Sequence, residues 1–201
     1  KGMEYLDYER KRKEYANQTG PVRRGVGMAL FWYNTAVWPI SLESSSCRMV
    51  LNQDGSIQLQ LGETEIGQGA DTAFAQMAAD TVGIPVDMVH TVSTQDTDLT
   101  PFGTGAYASR QTYVGGFAIK QTGLLLKERI LLYAKELTRQ DVNNLDIQEG
   151  YIVRTTDGRK LMSLGELATE ALYSLTHSQH MTAESTYQIK NNAYSFGCSF
   201  A

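Results

Sequence analysis

Glycine, carboxylate and amide residues that could bind an anion are concentrated in the stretch Gly62–Thr72, which reads Gly-Glu-Thr-Glu-Ile-Gly-Gln-Gly-Ala-Asp-Thr. Gly67 and Gly69 can take backbone angles that other residues avoid, and they let another group approach the main chain closely. Gln68, between them, offers both a hydrogen-bond donor and an acceptor. The first amides of a following helix would favour a phosphate here. A glycine turn without any ligand is the alternative interpretation.

A second glycine-rich stretch, Thr100–Thr112, ends in Ser-Arg-Gln-Thr. The planar fork of Arg110 suits a phosphate, and a structural salt bridge is the equal alternative. Ser109 and Thr112 could each donate to an anion, whereas Thr112 could instead cap a helix. This stretch therefore also predicts an anion-binding loop.

Two carboxylates, Glu63 and Glu65, could act as a general acid and base. Because they flank a glycine turn, we expect them instead to cap the turn or to bind partner residues. Two nucleotide motifs are excluded: Thr72 stands where the dinucleotide fingerprint has Gly or Ala, and the chain has no Gly-Lys-Ser/Thr. A nucleotide-binding module at this helix start is therefore the weakest hypothesis.

Both stretches are predicted to lie between a strand and a helix. Residues 56–61 alternate polar and apolar side chains, as in a half-buried strand, and pair with Cys47–Asn52 across a glycine-containing turn. Apolar residues at helical spacing predict a helix from Ala70 to Gly83. A long helix, Gln111–Arg139, should follow the second stretch, with Phe117, Leu125 and Leu137 among its inward residues.

Other segments complete a predicted α+β fold with mixed sheets and helices on one face. The predictions are a surface helix at Glu4–Ala16, a central strand at Arg24–Asn34, a loop at residues 38–46, a strand at residues 86–92, a polar turn at residues 94–98, a strand at Leu145–Val153 paired with Arg159–Met162, a capped helix from Ser163, and strands at Met181–Gln188 and Tyr194–Ala201. The long helix contains three glycines, which are unfavourable inside a helix: Gly115, Gly116 and Gly123. We expect them to allow close packing against the sheet or a cofactor edge.

Composition narrows the class of protein. The 201 residues are 42% hydrophobic and 20% charged, which is typical of a globular domain. The net charge of −4 argues against a nucleic-acid surface. No apolar run approaches membrane-span length, so no membrane partner is expected. The two cysteines are far apart in the sequence and form no disulfide framework, which is typical of proteins in a reducing cytoplasm. The start without an initiator Met and the end within an apparent strand predict a piece of a longer chain.

The two glycine-rich stretches together resemble those of the molybdopterin-binding subunit of the xanthine dehydrogenase family, the molybdenum hydroxylases. In that family a Gly-Glu-x-Glu-apolar-Gly-Gln-Gly turn and a later Gly-x-Gly-x-Tyr-x-Ser-Arg-x-Thr-like loop both line the pterin cofactor. Here the two motifs are residues 62–69 and 103–112. The resemblance extends from about Arg23 to Ala201. The chain looks like an internal fragment of that subunit, divided into residues 1–20 (surface helix and linker), 21–140 (cofactor-loop core) and 141–201 (strand and helix extension).

The resemblance implies that specific residues contact the cofactor. Ile66, Gly67, Gln68 and Gly69 are the implied pterin and phosphate contacts. Residues 106–110 are implied to form the loop beside molybdenum: Ala106, Tyr107, Ala108, Ser109 and Arg110. The backbone of Ala106 or of Ala108 should lie closest to the metal, since the register of this loop varies in the family.

The family also implies an activity. Its members hydroxylate a heteroaromatic compound or aldehyde with oxygen from water: a molybdenum-bound hydroxide attacks carbon, and electrons leave through the pterin to 2Fe-2S clusters and FAD on partner domains or subunits. The implied parent is an oligomeric enzyme acting on a purine such as xanthine or hypoxanthine. Its base glutamate belongs to a Gly-x-Gly-Glu motif that this chain lacks, so no catalytic residue is expected here and the chain alone should be inactive. The competing hypothesis is a non-catalytic α+β binding or assembly module with glycine loops for a protein partner.

Overall fold

The computed structural model describes residues 1–40, 43–92 and 96–201 and has the predicted α+β character. The predicted loop at residues 38–46 and the polar turn at residues 94–98 lie partly outside the described residues, and residues 44–46 of that loop are instead the start of a strand. Short helical turns occupy Val86–Met88, Gln111–Gly115 and Val142–Asn144. The helices and strands are α1 Gly2–Tyr5, α2 Tyr8–Glu14, β1 Met28–Thr35, β2 Ser44–Leu51, β3 Ile57–Leu61, α3 Ala70–Val82, β4 Val89–Val92, α4 Gly116–Thr138, β5 Leu145–Gln148, β6 Tyr151–Arg154, β7 Arg159–Ser163, α5 Leu164–Tyr173, β8 Thr182–Gln188 and β9 Ala193–Phe200.

The chain divides into two units, Lys1–Thr35 with Asn192–Ala201, and Ala36–Asn191. The division near residues 20 and 140 stays a prediction. In the first unit, β1 pairs with β9 in antiparallel register and with no other strand of the described residues. The prediction of a central strand is therefore wrong, and Leu30 and Trp32 are 73% and 65% exposed. The predicted single helix at Glu4–Ala16 is two short helices, because Asp7 between them has a left-handed backbone.

The second unit is built on a four-stranded sheet in the order β4-β3-β2-β8. Strands β2 and β3 form the predicted antiparallel hairpin, and β4 lies parallel to β3. Only residues 89–92 of the predicted strand at 86–92 are extended, because a helical turn precedes them. Alternate residues of β3 are buried, as their alternating pattern predicts. The first glycine-rich stretch leaves the end of β3, and the sheet therefore fixes where that loop begins.

Helices α3 and α4 pack together in the same core as this sheet. A side chain on Gly116 would meet the Met77 sulfur at 3.1 Å, and one on Gly123 would meet Thr81 Cγ2 at 2.8 Å. The glycines of α4 thus allow close packing on α3. The prediction was the sheet or a cofactor edge, and Gly123 also faces the sheet, since its Cβ would meet Met49 Cε of β2 at 3.6 Å. Phe117, Leu125 and Leu137 are exposed rather than inward.

A three-stranded antiparallel sheet, β5-β6-β7, completes the second unit. The predicted strand Leu145–Val153 is divided into β5 and β6 at Glu149 and Gly150, which both have positive φ. The predicted capping box begins α5: Ser163 Oγ accepts from the Glu166 amide at 3.2 Å, and the Ser163 amide donates to Glu166 Oε2 at 2.7 Å. None of the helices in the described ranges is both long and apolar enough to cross a membrane.

Candidate functional site

The first loop, defined as residues 62–69, is organised by the carboxylate of Glu65. Its Oε1 accepts from the amides of Gly67 and Gly69 at 2.6 and 3.1 Å, and its Oε2 accepts from the Asp71 amide at 3.0 Å. These amide donors lower the pKa of Glu65, with Asp71 contributing most. A carboxylate of the chain itself therefore occupies the start of α3 that was predicted to hold a phosphate. The expectation that Glu65 caps the turn is confirmed.

Gln68 of the first loop forms a hydrogen bond with Gln111, the residue that follows Arg110 in the second stretch. Its Oε1 accepts from the Ile66 amide at 2.7 Å, and its Nε2 donates to the Thr64 carbonyl at 2.9 Å and to Gln111 Oε1 at 2.7 Å. Gln111 also donates to the Thr64 carbonyl at 2.9 Å. Both N–H groups of the Gln68 amide are thus used within the protein, and they fix the shape of the loop.

The second loop, residues 103–112, contains consecutive residues in left-handed conformation. Ala108 has φ 46° and Ser109 has φ 53°, a region that residues with a Cβ rarely occupy. The Ala108 carbonyl accepts from the Ala36 amide at 2.8 Å. Such backbone strain persists only where surrounding contacts impose it, and it is often found at functional sites.

Arg110 is fully buried between two buried carboxylates, Glu43 and Glu63. Its Nε donates to Glu43 Oε2 at 2.6 Å, and its Nη1 donates to Glu63 Oε1 at 2.9 Å. Further bonds reach the carbonyls of Gly105 and Ser44, at 3.0 and 2.6 Å. Burial raises the pKa of Glu63, and Arg110 opposes that rise. The prediction of Arg110 as a phosphate ligand is wrong because protein acceptors occupy its guanidinium, and the salt-bridge alternative is the one observed.

The two loops touch through glycine backbones. A side-chain carbon built on Gly103 would overlap the Gly62 carbonyl, and one built on Gly62 would overlap the backbone of Phe102 and Gly103. An open cleft of about 370 Å³ lies at this junction. Its lining includes the hydroxyl-bearing residues Thr64, Thr100 and Thr104. Close backbone approach therefore requires glycine at both positions and brings the loops together along one side of the cleft.

The structure thus brings the predicted loops together and shows which groups remain accessible. The side chains of Ile66 and Gln68, and the residues Ala106 and Ser109, are exposed, whereas the ring of Tyr107 packs over Arg110, 5.5 Å from its guanidinium carbon. Sequence reasoning missed Glu43 and Gln111. A buried arginine needs carboxylate partners, but nothing in the spacing identifies Glu43, which lies 67 residues before Arg110.

The glycines of the first loop leave room for a bound group. Gly67 and Gly69 have φ 97° and 84°, and a Cβ on either would meet no atom of the chain within 4 Å. Both therefore offer an open backbone face, beside exposed Ile66. The amides bound by Glu65 are not available to a phosphate, so a phosphate group would have to use other donors near the loops. No group of three or more potential metal-ligating His, Cys, Asp or Glu side chains occurs within residues 1–40, 43–92 and 96–201.

Comparisons with known proteins identify the family. The model of the molybdopterin cofactor-binding domain matches residues 1–201. The chain is 46% identical over 201 residues to the putative xanthine dehydrogenase molybdenum-binding subunit XdhA of Escherichia coli strain K12, covering all of this chain and 27% of that protein. It is 28% identical over 184 residues to the probable hypoxanthine oxidase XdhD of the same strain, covering 92% of this chain and 19% of that protein. The chain therefore spans about a quarter or less of the length of these relatives.

Solved structures show the same fold. Reconstituted CO dehydrogenase from Oligotropha carboxidovorans matches with a TM-score of 0.80 and 22% identity, over 99% of this chain and 27% of that one. Quinoline 2-oxidoreductase from Pseudomonas putida 86 matches with a TM-score of 0.78 and 22% identity, over 98% of this chain and 27% of that one. With the full-length family match, these results show that the chain belongs to the family of molybdopterin cofactor-binding domains.

Proposed function

We propose that the chain forms one wall of the molybdopterin site of a molybdenum hydroxylase, and that the parent enzyme hydroxylates a purine such as xanthine or hypoxanthine with oxygen from water. The observation that carries the proposal is the 46% identity across the whole chain with a xanthine dehydrogenase molybdenum-binding subunit. The similarity to a probable hypoxanthine oxidase supports the same substrate class. The parent would have further molybdopterin-subunit domains and would pass electrons to iron–sulfur (2Fe-2S) and FAD domains or subunits, as an oligomer in the cytoplasm.

The role of this chain is to shape and hold the cofactor surface. When bound, the molybdenum cofactor supplies the oxidative chemistry. Gly67 and Gly69 would present open backbone to the pterin, next to Ile66. The hydrogen bonds of Gln68 would hold the conformation of the two glycines. Its side-chain oxygen would be able to accept one further hydrogen bond. On the second loop, Ala106 and the strained residue Ala108 would lie beside the metal, with the strained and exposed Ser109 near it.

The experiment is to purify the full-length parent from its native host and to measure molybdenum, then turnover of xanthine, hypoxanthine and a simple aldehyde with an artificial electron acceptor. We expect stoichiometric molybdenum and preferred turnover of a purine. Molybdenum with turnover of the aldehyde alone would contradict the purine assignment and leave the enzyme class standing. A parent without molybdenum would contradict the class.

The non-catalytic alternative keeps one supporting observation. Glu65 satisfies the turn amides without any ligand, so the loop has a defined shape on its own. An assembly module would use that shape for a protein partner. It would contain no molybdenum and would show no turnover in the same experiment.

A further inference from the structure

Arg110 lies where three segments of the second unit meet. Glu63 belongs to the first loop, and Arg110 to the second. Glu43 binds Arg110 with Oε2 and accepts from the Val37 amide with Oε1 at 3.0 Å. The neighbour of Val37, Ala36, donates to the Ala108 carbonyl. One side chain thus joins both loops and, through Glu43, the segment that supports the strained residues of the second loop.

The geometry of this junction requires a guanidinium. Arg110 uses three nitrogens to reach two carboxylates and two carbonyls, including the Gly105 carbonyl of its own loop. Its planar fork can satisfy several acceptors in fixed directions, which the single ammonium of lysine cannot do. The ring of Tyr107 covers the guanidinium on one side. These contacts fix both the position and the orientation of the loop around residue 110.

The amide contact between Gln68 and Gln111 depends on the same register. Gln111 follows Arg110 directly and receives the hydrogen bond from Gln68 at 2.7 Å. A shift of Arg110 would move Gln111 and break that bond, and it would release the Gly105 carbonyl. A buried ion pair often stabilises a fold little more than apolar side chains of the same size would. The distinctive effect of the Arg110 contacts is therefore that they fix the geometry of the two loops.

We propose that Arg110 is a positioning residue for the molybdenum cofactor: through Glu63 and Glu43 it holds the second loop in register with the first, and it does not contact the cofactor itself. This inference rests on the proposed function. It assigns Arg110 to the support of the loops that would line the cofactor, as outer residues orient the ligands of a metal site.

The test uses the full-length parent with three substitutions. Arg110→Met removes the junction, and Arg110→Lys keeps the charge without the fork. Leu167→Ala is the control, because Leu167 is fully buried in α5 and its truncation destabilises the same unit without touching either loop. The measurements are melting temperature, molybdenum per polypeptide, the electron paramagnetic resonance spectrum of the reduced metal, and amide hydrogen exchange of the cofactor-free protein.

We expect Arg110→Met to lower molybdenum content by about 10-fold or more, as outer-residue changes at metal sites do. Arg110→Lys should retain an intermediate fraction with an altered resonance spectrum and faster exchange in both loops. Leu167→Ala should keep its molybdenum despite a lower melting temperature. If Arg110→Met fails to fold, the molybdenum content, spectrum and loop exchange of Arg110→Lys test the inference.

Two results would overturn the inference. One is wild-type molybdenum content, spectrum and loop exchange in Arg110→Lys. The other is molybdenum loss in Leu167→Ala that matches the loss in the Arg110 variants at equal melting temperature. A wild-type parent without molybdenum would instead contradict the proposed function, so the two failures are distinguishable.

Discussion

Glu63 of the first loop and Arg110 of the second form an ion pair that is closed to solvent, with Nη1 of Arg110 2.9 Å from Oε1 of Glu63. The two residues are 47 positions apart. The backbones of their loops also touch, at Gly62 and Gly103. The loops are therefore joined by glycine contact, by this charged pair and by the hydrogen bonds of Gln111 to Gln68 and Thr64, and their shared surface has a defined shape before any cofactor binds.

Replacement of Arg110 by Met should destabilise the fold by about 3–5 kcal/mol, because two buried carboxylates lose their partner. The matched control is Arg48→Met, since the Arg48–Glu184 pair joins β2 and β8 of the same unit but is exposed and should contribute only about 0–1 kcal/mol. Equilibrium unfolding of both variants measures the difference. Equal losses would contradict the importance of the buried pair.

The same variant should show an altered pH dependence. Burial raises the pKa of Glu63 above 4.5, and Arg110 opposes the rise. A raised folded-state pKa contributes stability below the unfolded value, and that contribution is lost as the pH rises through the folded value. Removing Arg110 raises the pKa of Glu63 further. The loss in free energy of unfolding caused by Arg110→Met should therefore shrink as the pH falls from alkaline towards mildly acidic values. Urea titrations across this pH range measure the effect. A stability loss in Arg110→Met that does not change with pH would exclude the titration of Glu63 as its cause.

Gln68→Ala should reduce cofactor retention without unfolding the protein. Gln68 is exposed, and the substitution removes its hydrogen bonds to Ile66, Thr64 and Gln111. The melting temperature of the cofactor-free parent should stay within a few degrees, since most surface changes cost within about 0.5 kcal/mol. Molybdenum content is the measurement, and Gln58→Ala, on the half-buried polar face of β3, serves as the control. Full molybdenum occupancy in Gln68→Ala would refute the role of this turn.

Gly69 and Gly103 should respond to substitution for different reasons. Gly69 has φ 84° and open space around it, so Gly69→Val should cost about 1–3 kcal/mol of backbone strain without a clash within the chain. The side chain would then project where the cofactor is proposed to lie, giving a stable protein with little cofactor. Gly103→Ala should instead disturb folding, because its Cβ overlaps the Gly62 carbonyl. Normal molybdenum content in a folded Gly69→Val protein would show that no ligand approaches this position.

The two cysteines should differ sharply in reactivity. Cys47 is buried in β2, and burial raises its pKa to about 12, so its thiol should not react with a thiol reagent while the protein is folded. Cys198 is exposed in β9 and should react. Reagent titration should therefore modify only Cys198 in the native chain and both thiols after denaturation. Rapid native modification in a Cys198→Ser variant would contradict the burial of Cys47.

Elements with local end signals could be predicted from the sequence. The helix predicted from Ala70 to Gly83 is observed as Ala70–Val82, with Gly83 left-handed directly after it. The capping box at Ser163 and Glu166 is present as predicted. In each case the residues that end or begin the helix are its sequence neighbours, so the necessary physical information lies within a few positions.

Features that depend on distant partners could not be predicted. The apolar side chains of β1 indicate burial but not what would bury them, and within residues 1–40, 43–92 and 96–201 the strand pairs only with β9. For Arg110 the sequence leaves phosphate and carboxylate partners equally open, because both suit its fork. The choice is decided by Glu43 and Glu63, which reach Arg110 only after the sheet and both loops have formed.

The most direct test of the cofactor assignment is the molybdenum content of the full-length parent and of the 201-residue chain, both purified from the same native host. The chain supplies two loops from one side, and its helix start is occupied by Glu65, so it should not retain the cofactor alone. We predict stoichiometric molybdenum in the parent and essentially none in the chain. A parent without molybdenum, or a chain that holds it stoichiometrically, would contradict the account that these loops form one wall of a larger molybdopterin site.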